Sequence, residues 1–377
     1  MKKTKLLFLS LFIANFSYAQ NTLLDSLIQK NYTTFQKDNN NSFTGKGWTT
    51  LQEQMTNSNS VVVGEYHFRN EIPYFMNATI NSINFDNYFL EVDPYLVKIL
   101  EEKINTLSPP ALKQFIADYG HNSNFSFLSQ EVEFDFFKNT LKHHIKPYGI
   151  EQINIFSDRV IISELSKHSK NAKAKEIYKQ MMDDSKAFDR KKDTEFYLLT
   201  EDFLTKLNTL AALNLSANEK EQLEALKSSR ELYLNRKHKL RVQLLKHLVL
   251  QKLPEWENKK NLFKFGAGHT PKGESLLQVY DIGNLISNIE DGHYRKSLHL
   301  MIMGKDEGKT LANLEQYKPF LTVIKDDQWY SYDLRPLQEA ILKKKLKIDD
   351  IGLERIIKGN DYLIYVPNLT EMKNFGE

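Results

Sequence analysis

The sequence predicts an α/β fold, in which a parallel or mostly parallel central sheet is flanked by helices and carries a long helical insertion. Three short apolar runs predict strands at 61–64, 88–92 and 262–266. Helical patterns at about 71–83 and 95–105 follow the first two of them, and such alternation is typical of a parallel sheet. A charged block at about 158–253, without strand signals, predicts the insertion.

The other elements follow in chain order. Residues 20–58 are polar and rich in asparagine, and we interpret them as a leading helix and a loop. Further strands are predicted at 148–150, 297–303, 319–324 and 361–366, and further helices from about 111, over 131–144, near 274–288 and near 334–345. Within the insertion, leucines and a tyrosine at helical steps between Leu223 and Leu248 predict an amphipathic stripe on one long helix. We therefore expect residues 20–377 to form a single α/β domain.

The first residues have the pattern of a secretory signal peptide. A basic start at 1–5 precedes the apolar run 6–16, and the small residues at 17–19 suit cleavage before Gln20. We therefore expect residues 1–19 to be a signal peptide and the protein to be exported, periplasmic or extracellular. No later run reaches the roughly 20 apolar residues that a membrane span needs.

Composition excludes several classes of function. The formal net charge of +3 equals the contribution of Lys2, Lys3 and Lys5, so the mature chain is near neutral and lacks the basic footprint of a nucleic-acid-binding protein. The chain has no cysteine, which excludes a thiolate nucleophile and a cysteine metal site. The expected partner is a small-molecule or peptide substrate.

Carboxylates and imidazoles follow the predicted strands. Glu65 and His67 end the first strand, Glu91 ends the second, and His269 follows the strand at 262–266. Ligands of an open parallel sheet bind outside the carboxyl ends of its strands. We therefore predict that these four side chains share one site; Glu151, after the strand at 148–150, is a further acid of this type.

These motifs resemble the superfamily that contains the erythromycin esterases, the ChaN-like haem-binding proteins and the TraB/Tiki proteins. The turn 64–67 (Gly-Glu-Tyr-His), the strand end at Glu91 and the turn 266–269 (Gly-Ala-Gly-His) occur in the order of that superfamily. Arg236 is similar to an arginine of the esterases, and Phe68 stands where the esterases have a glycine after the histidine. The resemblance implies an esterase-like site, a metal-dependent protease-like site as in TraB/Tiki relatives, or haem binding.

A hydrolase at this site would activate water with His67, because the pKa of an imidazole is ordinarily near neutral. Glu65 or Glu91 would orient that ring, His269 would protonate the leaving group or act as a second clamp, and Arg236 would stabilise an oxyanion. The same histidines and carboxylates suit zinc or manganese, which is the alternative source of activated water. Non-covalent binding of haem or another small ligand without catalysis is the alternative function.

Overall fold

The structure is a computed structural model, and it describes residues 22–120, 123–188, 196–236, 238–306 and 315–375. The predicted signal peptide and its cleavage point before Gln20 lie outside these residues. None of the described helices combines the length and the apolar character that crossing a membrane would require.

The predicted α/β class is confirmed: helices flank a nine-stranded sheet, which is mixed and parallel in its middle part. The strands are β1 (Tyr32–Lys37), β2 (Phe43–Thr44), β3 (Ser60–Glu65), β4 (Asn87–Leu90), β5 (Lys146–Gly149), β6 (Asn261–Gly266), β7 (Ser297–Asp306), β8 (Trp329–Asp333) and β9 (Tyr362–Leu369).

The helices before the predicted insertion are α1 (22–30), α2 (Lys46–Thr56), α3 (Glu71–Ser82), α4 (Pro94–Thr106), α5 (Pro109–Tyr119) and α6 (Glu131–Lys142). Those within it are α7 (Asp158–His168), α8 (Ala172–Ala187), α9 (Glu201–Ala211), α10 (Ala217–Asn235), α11 (His238–Gln251) and α12 (Leu253–Trp256). After it come α13 (Ile282–Gly292), α14 (Lys318–Leu321), α15 (Arg335–Leu342) and α16 (Ile351–Gly359).

The chain divides into two compact units, and unit 1 consists of residues 1–83 and 265–370. Its strands follow the order β2-β1-β8-β9-β7-β3. β3, β7 and β9 are parallel, whereas β8 pairs antiparallel with β9 and with β1. β3 is buried along its whole length, as expected for a strand in the middle of a parallel sheet.

Unit 2 consists of residues 84–264 and 371–377. Its parallel strands follow the order β6-β4-β5, with Asn87 of β4 in register with Asn261 and Lys146. A core of side chains from the helical block and the segments next to it surrounds the buried Tyr178, Phe203 and Leu226. The described part of 158–253 contains helices and no strand; that this block is an insertion in a single domain stays a prediction.

Several predicted elements are wrong. Residues 20–58 contain α2 and strands β1 and β2 besides the leading helix. The predicted strand at 319–324 is instead the short helix α14 and the segment after it, because Pro319 cannot donate a ladder hydrogen bond but is tolerated in a first helical turn. The helix predicted near 274–288 begins later, at Ile282, where Asp281 caps it.

The single long helix predicted within the insertion is in fact two helices, α10 and α11. α10 ends at Asn235, and Arg236 follows with φ 47° in the left-handed region. A left-handed residue cannot continue a right-handed helix, and it is a common way for a helix to end. The leucine stripe therefore spans two helices.

Candidate functional site

Glu65 and His67 form a close pair at the end of β3. The distance between His67 Nδ1 and Glu65 Oε1 is 2.9 Å. The Glu65 side chain is buried, whereas that of His67 is 30% exposed. Because an ionised carboxylate only accepts hydrogen bonds, Nδ1 of His67 donates in this pair. In this tautomer the ring lone pair is on Nε2. Solvent reaches the His67 side chain.

A second carboxylate–imidazole pair follows β6. His269 Nδ1 lies 2.7 Å from Asp281 Oδ2, and both side chains are buried. The other carboxylate oxygen, Asp281 Oδ1, accepts from the Ile282 amide at 2.7 Å and caps α13. Asp281 thus holds the His269 ring against the start of a helix, which fixes the ring's orientation.

Backbone contacts within unit 1 join the two turns that carry these pairs. The Ala267 amide donates to the Glu65 carbonyl oxygen at 2.9 Å. A Cβ atom on Gly64 would lie 2.2 Å from Thr270 Oγ1, so only glycine permits this close approach. The structure therefore brings Glu65, His67 and His269 to neighbouring turns at one end of β3.

Glu91 belongs to unit 2, where it shares an arginine with Glu151. Arg241 Nη2 lies 2.7 Å from Glu91 Oε1, and Arg241 Nε lies 3.0 Å from Glu151 Oε1. Arg241 Nη2 also bonds Glu151 Oε2. Both glutamates are buried, and buried carboxylates require a partner of this kind. That Glu91 joins Glu65, His67 and His269 in one site stays a prediction.

Burial and the charge of the ion-pair partner shift the pKa values in this cluster in opposite directions. Burial lowers the pKa of Arg241, but the carboxylates of Glu151 and Glu91 outweigh it and the pKa is raised above its ordinary value. Burial raises the pKa of Glu151, although the Arg241 guanidinium opposes the shift. Burial also raises the pKa of the nearby Asp93 to about 7, against its hydrogen bonds to the Leu96 and Tyr95 amides.

The arginine that pairs with Glu91 is Arg241. Arg236 is exposed at the break between α10 and α11 and lines a cleft of about 410 Å³ together with Glu91, Glu151 and Arg241. All four residues belong to unit 2. The role of Arg236 as an oxyanion stabiliser stays a prediction.

The described residues contain no group of three or more histidine, aspartate or glutamate side chains that could hold a metal ion. The zinc or manganese alternative stays a prediction. A further buried histidine, His299, has a structural role: its ring nitrogens lie 2.7 Å from the Thr270 carbonyl oxygen and 3.1 Å from Ser297 Oγ. Burial lowers its pKa to about 4, so His299 is neutral near pH 7.

Sequence reasoning missed the partners of two predicted site residues, namely Asp281, which holds His269, and Arg241, which pairs with Glu91. Asp281 lies twelve positions after His269 and caps α13. In the sequence, an aspartate at a helix start indicates a cap and not a partner for a histidine. Arg241 lies on a helix with several other basic residues. The signal that distinguishes it is its placement beside two buried carboxylates, which only the folded chain shows.

Comparison with solved structures supports the fold. A Bacillus cereus protein solved in a structural genomics programme superposes with a TM-score of 0.56 at 12% identity, over 94% of this chain and 99% of that chain. A succinoglycan biosynthesis protein gives 0.56 at 15% identity, over 93% and 98%. A mutant of erythromycin esterase EreC in its open conformation gives 0.53 at 11% identity, over 90% and 98%.

At these identities the likeness shows the fold alone, and at that level the predicted resemblance to the erythromycin esterases is confirmed. No protein-family model matches the sequence, and a search of curated proteins finds no match.

Proposed function

We propose that the chain is a hydrolase that activates water with the Glu65–His67 pair and cleaves an ester or amide bond. The observation that carries this proposal is the presence of two carboxylate–imidazole pairs, Glu65–His67 and Asp281–His269, on neighbouring turns of unit 1. The shared fold with an erythromycin esterase is consistent with this class of reaction.

In the proposed reaction, His67 Nε2 accepts a proton from water, and the resulting hydroxide attacks the carbonyl carbon. Glu65 stabilises the imidazolium that forms, because its carboxylate accepts from Nδ1 at 2.9 Å. His269, held by Asp281, donates a proton from Nε2 to the leaving oxygen or nitrogen. The two carboxylates therefore have the same task, which is to orient a ring and to stabilise its cationic form.

The test is hydrolysis of a panel of chromogenic esters and anilides, together with erythromycin. We expect His67→Ala to lower kcat about 10²- to 10⁴-fold, the usual contribution of a general base. Glu65→Gln should lower it less, because the amide still accepts a hydrogen bond but does not stabilise a cation. His293→Ala, at an exposed histidine after α13, is the matched control and should keep full activity.

Circular dichroism should show the same fold in all three variants. If the wild type hydrolyses a member of the panel and His67→Ala and Glu65→Gln keep that activity, the proposal is wrong.

Export is a further part of the proposal, supported by the signal-like pattern of residues 1–19. Mass spectrometry of the protein recovered outside the cytoplasm should give a chain that starts at Gln20. An intact Met1 on protein recovered from the cytoplasm would contradict it. That the chain instead binds haem without catalysis stays a prediction.

A further inference from the structure

A second cavity lies in unit 2, among helices α4, α5 and α6. Its volume is about 890 Å³, within the range of roughly 300–1,000 Å³ that is usual for small-molecule sites. Its apolar lining includes Ile104 of α4, Leu112 and Ile116 of α5, Leu141 of α6, and Phe375. None of the residues of the proposed active site lines it.

The apolar side of α5 is incompletely covered. Phe115 is the one buried residue of this helix, whereas Leu112 and Ile116 are half-buried. Covering apolar surface contributes roughly 25 cal/mol per Å², so an occupant with an apolar body would be stabilised here. Concave apolar surfaces of this kind are characteristic of ligand-binding grooves.

The charged residues that line the cavity are all basic among those the structure describes. Lys113, Lys138 and Lys142 line it, and no acidic residue does so in the described structure. Lys138 pairs with the exposed Asp135 at 3.1 Å. Lys113 and Lys142 have no ion pair within the described ranges. The cavity therefore complements a ligand that combines an apolar body with a negative charge.

A peptide would fit this lining poorly. Apart from the lysines, Asn105 is the one polar side chain among the described residues that line the cavity. A bound peptide needs partners for its backbone N–H and C=O groups, and leaving them unpaired is costly. An acyl chain has no such groups.

We propose that this cavity binds a long-chain fatty acid, with the acyl chain against α5 and the carboxylate beside the lysines. This function is independent of the proposed hydrolysis. Within the described structure the ligand would contact only residues of unit 2.

The first experiment is calorimetric titration of the purified full chain with palmitate below its micelle concentration. We expect saturable binding at one site per chain, and affinity at least tenfold weaker for the uncharged cetyl alcohol and for cetyltrimethylammonium. Equal affinity for all three amphiphiles would overturn the role of the lysines, and the absence of saturable palmitate binding would overturn the proposal.

Two variants locate the site. The triple change K113E/K138E/K142E should weaken palmitate binding at least tenfold, whereas K98E/K173E/K220E alters the net charge equally at exposed lysines outside the cavity and should leave it unchanged. Equal losses in both would show a non-specific charge effect and contradict the proposal.

Ile116→Asp tests the apolar contact, because it places a carboxylate in the lining. It should abolish palmitate binding while the circular dichroism spectrum is kept. Sedimentation must show the same mass for wild type and Ile116→Asp. A wild-type dimer that this variant dissociates would mean that a second copy of the chain occupies the cavity, which overturns the proposal.

Discussion

Phe68, directly after the proposed general base His67, has φ 63° in the left-handed region. For a residue with a Cβ atom this conformation costs roughly 1–2 kcal/mol. Glycine adopts this conformation without that cost. Phe68 is 47% exposed.

We expect Phe68→Gly to be more stable than Phe68→Ala by about 1 kcal/mol, because both remove the ring but only alanine keeps a strained Cβ. Glu224, exposed in the interior of α10, provides the opposite control. There Glu224→Ala should be more stable than Glu224→Gly by about 1 kcal/mol. Urea unfolding of the four variants measures both differences. The same sign at both positions would show that Phe68 is unstrained.

The sequence located the histidines of the site better than their partners. Glu65 is the last residue of β3, and His67 and His269 lie two and three positions after β3 and β6. A strand end of this kind is visible in the sequence as an apolar run that stops near a polar residue. Asp281 has the ordinary appearance of a helix cap, since aspartate is common at that position. Its bond to His269 depends on how α13 is placed in space, which no local pattern encodes.

At the scale of elements, the strands in the middle of the sheet were predicted, and so was β5 at one edge, whereas β1, β2 and β8 toward the other edge were not. β3 contains three consecutive valines and β6 the apolar Leu262, Phe263 and Phe265, and both strands are buried throughout. β1 has the sequence Tyr-Thr-Thr-Phe-Gln-Lys and only one buried residue, Phe35. β1 pairs antiparallel with β8, which lies almost 300 residues later in the sequence. Such a strand has too few apolar residues to be recognised before its partner is known.

The break between α10 and α11 was not predicted from the sequence, for a different reason. No glycine or proline marks it, and the charged residues on both sides are good helix formers. Arg236 nevertheless adopts a left-handed conformation, which is unfavourable for a residue with a Cβ atom. Tertiary packing of the two helices must therefore outweigh local helical preference, and a single sequence does not show that balance.

For the whole molecule, Asp93 predicts a dependence of stability on pH. Its pKa is raised from 3.8 to about 7 by burial. The folded state therefore holds a proton that the unfolded state releases, and Asp93 makes stability fall as the pH rises from about 4 to about 7. Asn caps helices as well as Asp does, so Asp93→Asn removes this titration and keeps the cap of α4.

The wild type should lose about 3 kcal/mol more of its free energy of unfolding than Asp93→Asn does when the pH is raised from 5 to 8. The titration of Asp93 covers about two pH units between pH 5 and its pKa of about 7, and each unit corresponds to 1.36 kcal/mol. Urea unfolding of both proteins at the two pH values measures the difference. The subtraction cancels groups that titrate equally in both proteins, including His299. Parallel pH profiles would contradict the raised pKa.

The division of unit 1 into two chain segments has a consequence for synthesis on the ribosome. β3 pairs with β7, and Ser60 is in register with Ser297. All of unit 2 up to Lys264 is translated between these strands. Until β7 emerges, the valines at 61–63 have no partner strand on that side, and unpaired apolar strands are prone to aggregation. Unit 1, which carries the proposed general base, therefore begins to be synthesised before unit 2. It can complete its fold only after residues 265–370 have been translated.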